Sequence, residues 1–135
     1  MASNLYLSDR GASTTINSLA AQMNSGFIIM WAGSQPADAN TNTSGGNYIL
    51  GSVPFSTVAF LSASSNTITA QALTNTTAVS SGICQWYSAV TSSNTLRIID
   101  GSFSTASADM NANTNNFAQG ASIAVTSYSL TLPEH

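Results

Sequence analysis

Few side chains in this sequence can do acid–base, nucleophilic or metal chemistry. Among its 135 residues are two arginines, five carboxylates, one histidine and one cysteine, and there is no lysine. The histidine is the last residue, His135, where a fixed backbone is least expected. Ser-His-Asp and Cys-His catalysis both need a positioned histidine, so we expect neither. A metal ligand at His135 is the alternative, and an ordinary chain terminus is the favoured interpretation.

The carboxylates offer one pair that could act together, Asp100 and Asp109, which flank a long polar loop. A glycosidase uses two carboxylates that flank the glycosidic bond. We favour the commoner roles, a turn aspartate and a loop cap. Asp38, Asn40 and Asn42 offer oxygen ligands for calcium, but with a single carboxylate and without the spacing of a calcium loop. The sequence therefore predicts no catalytic, cofactor-binding or metal-binding residues, and no enzyme activity.

Three further features have ordinary structural interpretations. Cys84 lies in an apolar strand without a basic neighbour in sequence, which favours a small buried thiol over a reactive one. The glycosylation sequons at Asn42 and Asn75 are expected by chance in a chain so rich in Asn, Ser and Thr. Arg97 lies within a predicted strand, where it points outward or pairs with an aspartate. It could also anchor an interface, where arginine is enriched.

The composition is polar without being charged. Ser, Thr and Asn supply 52 of the 135 residues, whereas 5% of residues are charged and the net charge is −3. Two arginines cannot neutralise a phosphate backbone or an anionic membrane, so we expect neither nucleic acid nor membrane as a partner. No apolar run has the length of a membrane span, and the first residues lack the basic start and apolar block of a signal peptide. A single cysteine excludes an internal disulfide.

The hydrophobic pattern predicts one helix followed by strands. Ser8 is placed to cap a helix, and apolar residues follow at helical spacing as far as Met23, which predicts a helix over about 9–24. From residue 27 onward the apolar residues form short runs or alternate, as in strands. The predicted strands cover residues 27–32, 48–53, 56–62, 67–72, 83–90, 95–103 and 122–132. Polar loops are predicted at about 33–47 and 104–120.

Two details of the strands bear on the fold class. The clearest hairpin joins the strands 83–90 and 95–103, and its core candidates are Trp86, Val90, Ile98 and Phe103. In the last strand the inward parity changes, which predicts a β-bulge near 126–127 or a strand that changes sheets at a corner. These features indicate one domain over residues 1–135, an all-β, antiparallel β-sandwich or jelly-roll-like fold with one short N-terminal α-helix.

Several motifs recur in one known kind of protein. An LYLS-type start and an Ala-rich helix are followed by a strand and the element Gly-Ser-Gln-Pro-Ala-Asp-Ala at 33–39. Later come the Trp86-Tyr87 strand, the stretches 99–102 and 108–111, and a closing segment at 125–134. With these motifs the whole chain resembles small structural proteins of tailed bacteriophages.

The resemblance implies a bacteriophage virion protein, which we interpret as a capsid decoration or cement protein. Such a protein is made in the cytoplasm of the host bacterium and binds and stabilises the lattice of the major capsid protein on the capsid surface. We expect a homo-oligomer, a trimer or a dimer, without a cofactor. The alternative is a carbohydrate-binding or structural module of a phage tail or fibre, with Trp31 or Trp86 as a stacking platform. A hydrolase is disfavoured by the scarcity of titratable groups.

Overall fold

The computed structural model describes residues 8–36, 47–63, 67–93, 97–105 and 110–131, and every structural statement below concerns these residues. They form one helix and ten strands. In chain order these are α1 Asp9–Ala21, β1 Phe27–Ala32, β2 Tyr48–Pro54, β3 Thr67–Thr69, β4 Thr76–Thr77, β5 Gly82–Val90, β6 Arg97–Ser104, β7 Met110–Ala112, β8 Asn116–Phe117, β9 Ser122–Ile123 and β10 Val125–Thr131. The all-β class with one short helix is therefore confirmed.

Helix α1 begins where the sequence predicts and ends slightly earlier. The Ser8 hydroxyl accepts a hydrogen bond from the backbone N–H of Gly11 at 3.1 Å, which caps the first turn. The helix ends at Ala21, short of the predicted residue 24, because the next backbone N–H groups bond three residues back instead of four. This tighter turn still brings Met23 into the core, which explains why the apolar pattern extends beyond the helix.

Eight of the strands form one sheet, in the order β2-β1-β5-β6-β7-β10-β3, with β8 beside the start of β5. Strands β4 and β9 form a separate pair. The pairing of β6 with β7 is parallel and the other described pairings are antiparallel, so the large sheet is mixed. This one pairing departs from the purely antiparallel sheet that the sequence predicts.

The far strands of this sheet fold back over its middle, which makes the fold sandwich-like. Tyr128 of β10 packs edge-on against Tyr87 of β5, with ring centroids 5.1 Å apart. Phe55 and Phe60 pack against the same Tyr128 ring. Helix α1 lies beside β3 and adds its apolar stripe to this interior. We call the side of the sheet that faces the interior its inner face and the opposite side its outer face.

Trp86 and Val90 are buried, as predicted, but they do not belong to the main core. Cross-strand pairing places Trp86 opposite Trp31, and both side chains point to the outer face, whereas Met30 and Tyr87 point inward. Trp86 is therefore buried on the outer face and does not pack between the layers of the sandwich. Phe103 does lie in the main core, and Ile98 is partly buried outside it.

The predicted strand over 56–62 is replaced by a single bridge between Phe60 and Ala70. The neighbouring backbone N–H groups bond elsewhere: that of Ala59 donates to the Asn24 side chain and that of Ala63 to the Asn17 side chain. Because Asn17 of α1 and Asn24 just after it accept from these donors, the segment cannot extend into a ladder.

Two predicted boundaries also change. The polar loop predicted over 104–120 contains strands β7 and β8, whose apolar side chains are buried between exposed or partly exposed asparagines. The last predicted strand divides at Ala124, where β9 pairs with β4 and β10 pairs with β7. The predicted bulge is confirmed, because the register against β7 shifts between Val125 and Ser127.

Candidate functional site

Aromatic, hydroxyl and charged side chains of three strands lie next to one another on the outer face of the sheet. Pairing across β1, β5 and β6 places Trp31 beside Trp86, and Ser88 beside Asp100. A bulge on each side of Trp31 permits this arrangement, because Leu50 of β2 and Gln85 of β5 have no partner in β1. Trp31 points outward by the ordinary alternation of β1, and the bulge at Gln85 lets Trp86 point outward while Cys84 remains in the core.

The two indole rings are stacked. Their centroids lie 5.3 Å apart and the planes differ by 7°. The Trp31 indole N–H donates to the Ser88 hydroxyl at 2.9 Å, and the Trp86 indole N–H donates to the Asn47 side-chain oxygen at 3.2 Å. Trp86 has no exposed surface and Trp31 is partly exposed, so Trp86 cannot serve as the stacking platform for a sugar that the sequence allowed.

An ion pair lies next to this aromatic pair. The Arg97 Nε atom is 3.1 Å from an Asp100 carboxylate oxygen, and the guanidinium carbon is 5.8 Å from the centroid of the Trp86 ring. The exposed fractions of the two side chains are 15% for Arg97 and 4% for Asp100. Of the two alternatives that the sequence left open for Arg97, the pairing with an aspartate is the one that the structure shows. A pair so protected from water neutralises both charges within the outer face.

The uncharged character continues along β1 and β2. Phe27, Ile29, Ile49 and Ser52 line a cavity of about 170 Å³ on the outer face. The Ile49 side chain is 42% exposed, although it is large and apolar. This part of the face can therefore contact an apolar surface without separating ions from water.

Exposed apolar side chains also lie around the start of β2 and the start of β5. Tyr48, Ile49, Val79 and Ile83 form this group, which we call the sheet-end patch, and each is at least 42% exposed. The Tyr48 hydroxyl donates to the Ser81 carbonyl, and the Val79 backbone N–H donates to the Leu50 carbonyl. These bonds hold the segment before β5 against β2. The patch has the character of a contact surface.

A second exposed apolar pair lies beside the helix. Val58 and Leu61 are 53% and 51% exposed, and they border a cavity of about 130 Å³ against α1. The helix side of this cavity consists of alanine and asparagine side chains. The lining of this second cavity is thus also uncharged.

Cys84 has the environment of a structural thiol. It lies in the main core and its Sγ donates to the Trp86 carbonyl at 3.5 Å. Burial raises the pKa of Cys84 to about 12, against a smaller lowering by hydrogen bonding with the backbone of Trp31 and Trp86. The thiol is therefore protonated at neutral pH, as expected of a buried small apolar side chain.

The remaining sequence-based candidates do not assemble into a described site. Asp38, Asn40, Asn42, Asp109 and His135 lie outside the described residues. Asn75 is exposed just before β4. Among the described residues, no three His, Cys, Asp or Glu side chains come close enough to hold a metal ion. In the same part of the chain no helix is long and apolar enough to cross a membrane.

Sequence reasoning missed two polar partners, Asn47 and Ser88, and the exposure of the sheet-end patch. Asn47 gave no signal because it is one of many asparagines in a polar stretch. Ser88 could have been found, since a serine within the apolar stretch 86–90 of a buried strand needs a partner. The exposure of the patch could not have been found, because Tyr48, Ile49 and Ile83 stand in apolar stretches that are typical of buried strands.

Comparisons of the chain with protein-family models, with curated proteins and with solved structures found no match.

Proposed function

We propose that this chain is a structural protein of a bacteriophage virion, namely a capsid decoration protein that binds the major capsid protein and stabilises its lattice. The motif resemblance along the sequence supplies the class of protein. The structure adds support through the character of the described surface, which is suited to docking on another protein.

The observation that carries the proposal is an exposed surface that is apolar but almost without charge. Of the charged side chains whose surroundings are described, Arg10 is exposed, whereas Arg97 and Asp100 neutralise each other. Six large apolar side chains are exposed, four in the sheet-end patch and two beside α1: Tyr48, Ile49, Val79 and Ile83, and Val58 and Leu61. Soluble monomers usually cover such positions with charged residues. A partner that buries this surface gains apolar contact at little cost in ion desolvation.

The described titratable groups support binding over catalysis. A nucleophilic cysteine needs a lowered pKa, and burial has the opposite effect on Cys84. A catalytic carboxylate needs access to its substrate, and Asp100 is enclosed beside Arg97. Neither group is available to a substrate in this arrangement.

Decoration of a lattice favours a symmetric oligomer. A closed homotrimer or homodimer can match a lattice axis, so that each contact is repeated. Weak uncharged contacts then add to a strong attachment. We propose such an oligomer at the capsid surface. Light scattering of the purified protein, with a count of copies per capsid from particle images, tests this proposal. Monomers in solution and isolated single copies on the particle would contradict it.

Binding to particles tests the function. Phage particles that lack this protein are mixed with the purified chain and sedimented, and antibody labelling in the electron microscope locates the bound chain. We expect binding to the capsid surface. Labelling of the tail or fibre alone would support the alternative module, and absence of binding would overturn the proposal.

A pair of variants makes the test specific to the surface. Ile83→Asp places a charge in the sheet-end patch, whereas Thr14→Asp places one on the exposed side of α1. We expect Ile83→Asp to reduce particle binding at least tenfold and Thr14→Asp to leave it nearly unchanged, with both variants melting like the parent. Equal binding by both variants would show that the patch does not contact the capsid.

A further inference from the structure

The ladder between β3 and β10 stops at a point where its register would allow it to continue. Thr69 pairs with Ser129, and the Ala70 backbone N–H donates to the Tyr128 carbonyl at 2.9 Å. In an antiparallel ladder the next residues of the two chains would pair in the same way. Successive backbone groups of a strand point to opposite sides, so the Gln71 N–H donates to the Ala59 carbonyl on the far side. The next N–H group that faces β10 is that of Ala72, and it has no partner among the described residues.

A cleft of about 290 Å³ lies where the two chains separate. One wall is the segment 69–73, and the other comes from Val125, Thr126 and Tyr128 of β10. Leu73, Val125 and Tyr128 pack on the main core, so the deep side of the cleft is apolar apart from the Tyr128 hydroxyl. None of the lining residues carries a charge. We call this feature the strand cleft.

Ala72 and Leu73 of this wall, with the adjoining Thr74, present backbone groups of the kind that a strand edge offers. Among the described residues, the backbone N–H and C=O groups of Ala72, Leu73 and Thr74 have no hydrogen-bond partner. Ala72 and Thr74 are exposed and Leu73 is partly buried, which is the alternation of a half-buried strand. The segment thus resembles an edge strand that lacks its neighbour.

On the opposite wall β10 is interrupted as well. Thr126 is the residue that the bulge leaves without a partner in β7, and its side chain is exposed. A bulge twists the strand away from its neighbour, which accounts for the opening between the two chains. The two walls are therefore strand-like but do not pair with each other.

We propose that the strand cleft accepts an extended, uncharged peptide segment of a partner virion protein, which adds a strand along residues 72–74. An apolar side chain of that segment would contact Leu73 and Val125, and its backbone would bond to the exposed N–H and C=O groups. This mode of recognition is β-strand addition. The inference rests on the proposed function, for which it names the docking site.

The chemistry of the lining selects this occupant. A charged segment would lose water without meeting an opposite charge in the cleft. A compact small molecule would satisfy few of the backbone groups, which lie along a line. An extended chain satisfies a line of donors and acceptors and places every second side chain toward the apolar floor.

An engineered cysteine allows the cleft to be blocked. Ala72→Cys is labelled with a bulky maleimide, and the matched control is Thr14→Cys on the exposed side of α1, labelled in the same way. Cys84 does not interfere, because it is buried and protonated. Binding of the unmodified, unlabelled and labelled chains to particles that lack this protein is measured by sedimentation. We expect labelling at residue 72 to reduce binding at least tenfold and labelling at residue 14 to reduce it less than twofold.

A second pair of variants tests the backbone itself. Ala72→Pro removes the N–H group, whereas Ala72→Ser retains it. We expect the proline variant to lose binding at least fivefold while its melting temperature stays within a few degrees of the parent, and the serine variant to bind normally. If Ala72→Pro does not fold, particle binding by the labelled Ala72→Cys chain alone decides between the outcomes. Normal binding by the labelled Ala72→Cys chain would overturn the cleft proposal and leave the function intact, whereas no binding by the unmodified chain would overturn both.

Discussion

The Tyr87 hydroxyl donates a hydrogen bond to the Tyr128 hydroxyl at 2.9 Å, inside the protein. Tyr87 lies on β5 and Tyr128 on β10, which is the third strand from β5 in the order of the sheet. The two rings meet edge-on. This contact joins the middle of the sheet to the far strands that fold over it. Its strength therefore measures how firmly the two layers of the sandwich hold together.

Removing either hydroxyl should destabilise the fold modestly. We expect Tyr87→Phe and Tyr128→Phe each to lower the free energy of unfolding by about 1 kcal/mol. Because the two groups share one bond, the double variant should lose less than the sum of the single losses. Urea unfolding of the four proteins measures this. Additive losses would show that the hydroxyls are not coupled.

Gly101 makes room for Tyr87 on the neighbouring strand. A Cβ atom at residue 101 would lie 2.5 Å from Cε1 of Tyr87, closer than atoms can approach. The ring is fully buried and cannot move aside freely. We expect Gly101→Ala to lower the free energy of unfolding by about 1–3 kcal/mol, measured by denaturant unfolding. An unchanged stability would mean that Tyr87 has a second position available.

The stacked tryptophans predict unequal effects of truncation. Trp86 is fully buried, so we expect Trp86→Ala to lower the free energy of unfolding by about 3–5 kcal/mol. Trp31 is partly exposed, so we expect Trp31→Ala to lower it by about 1–2 kcal/mol. Parallel indoles at this distance also couple their electronic transitions, which gives a paired circular-dichroism band. Trp31→Phe should abolish that band while the protein stays folded. A band that persists in Trp31→Phe would contradict the stack.

The raised pKa of the Cys84 thiol predicts that the folded state loses stability at alkaline pH. The folded state holds the proton up to a pKa of about 12, whereas the unfolded thiol releases it near its ordinary value of 9.0. The contribution is therefore complete below pH 9 and is lost as the pH rises from 9 toward 12. We expect the parent to lose stability more steeply than Cys84→Ala between pH 8 and 10.5. Equal slopes would show that the thiol ionises as readily in the folded state.

Much of the fold could be predicted because the buried strands carry strong apolar runs. Strand β1 has the predicted bounds, and β5 differs by one residue. The helix cap at Ser8 and the bulge in β10 follow from local patterns that depend on few neighbours. Short strands such as β4 could not be predicted, because two threonines gain their conformation from β9 and not from their own sequence.

The faces of the strands were harder to predict than the strands. Simple alternation puts Cys84 and Trp86 on one side, but the bulge at Gln85 puts them on opposite sides. Such a bulge depends on how two strands fit each other, which one strand's sequence does not contain. The pairing of Arg97 with Asp100 could have been predicted, because the two residues lie three positions apart on one strand.

The central claim is that an uncharged surface attaches this protein to a capsid. Raising the salt from 0.1 M to 1 M shortens the screening length from about 10 Å to about 3 Å and weakens ionic contacts. Apolar contact is not weakened by salt. Particles carrying the protein are incubated across this range and sedimented, and the protein is quantified against the capsid protein. We predict a ratio that stays nearly constant; release of the protein in 1 M salt would show that charged side chains hold it and would contradict this account.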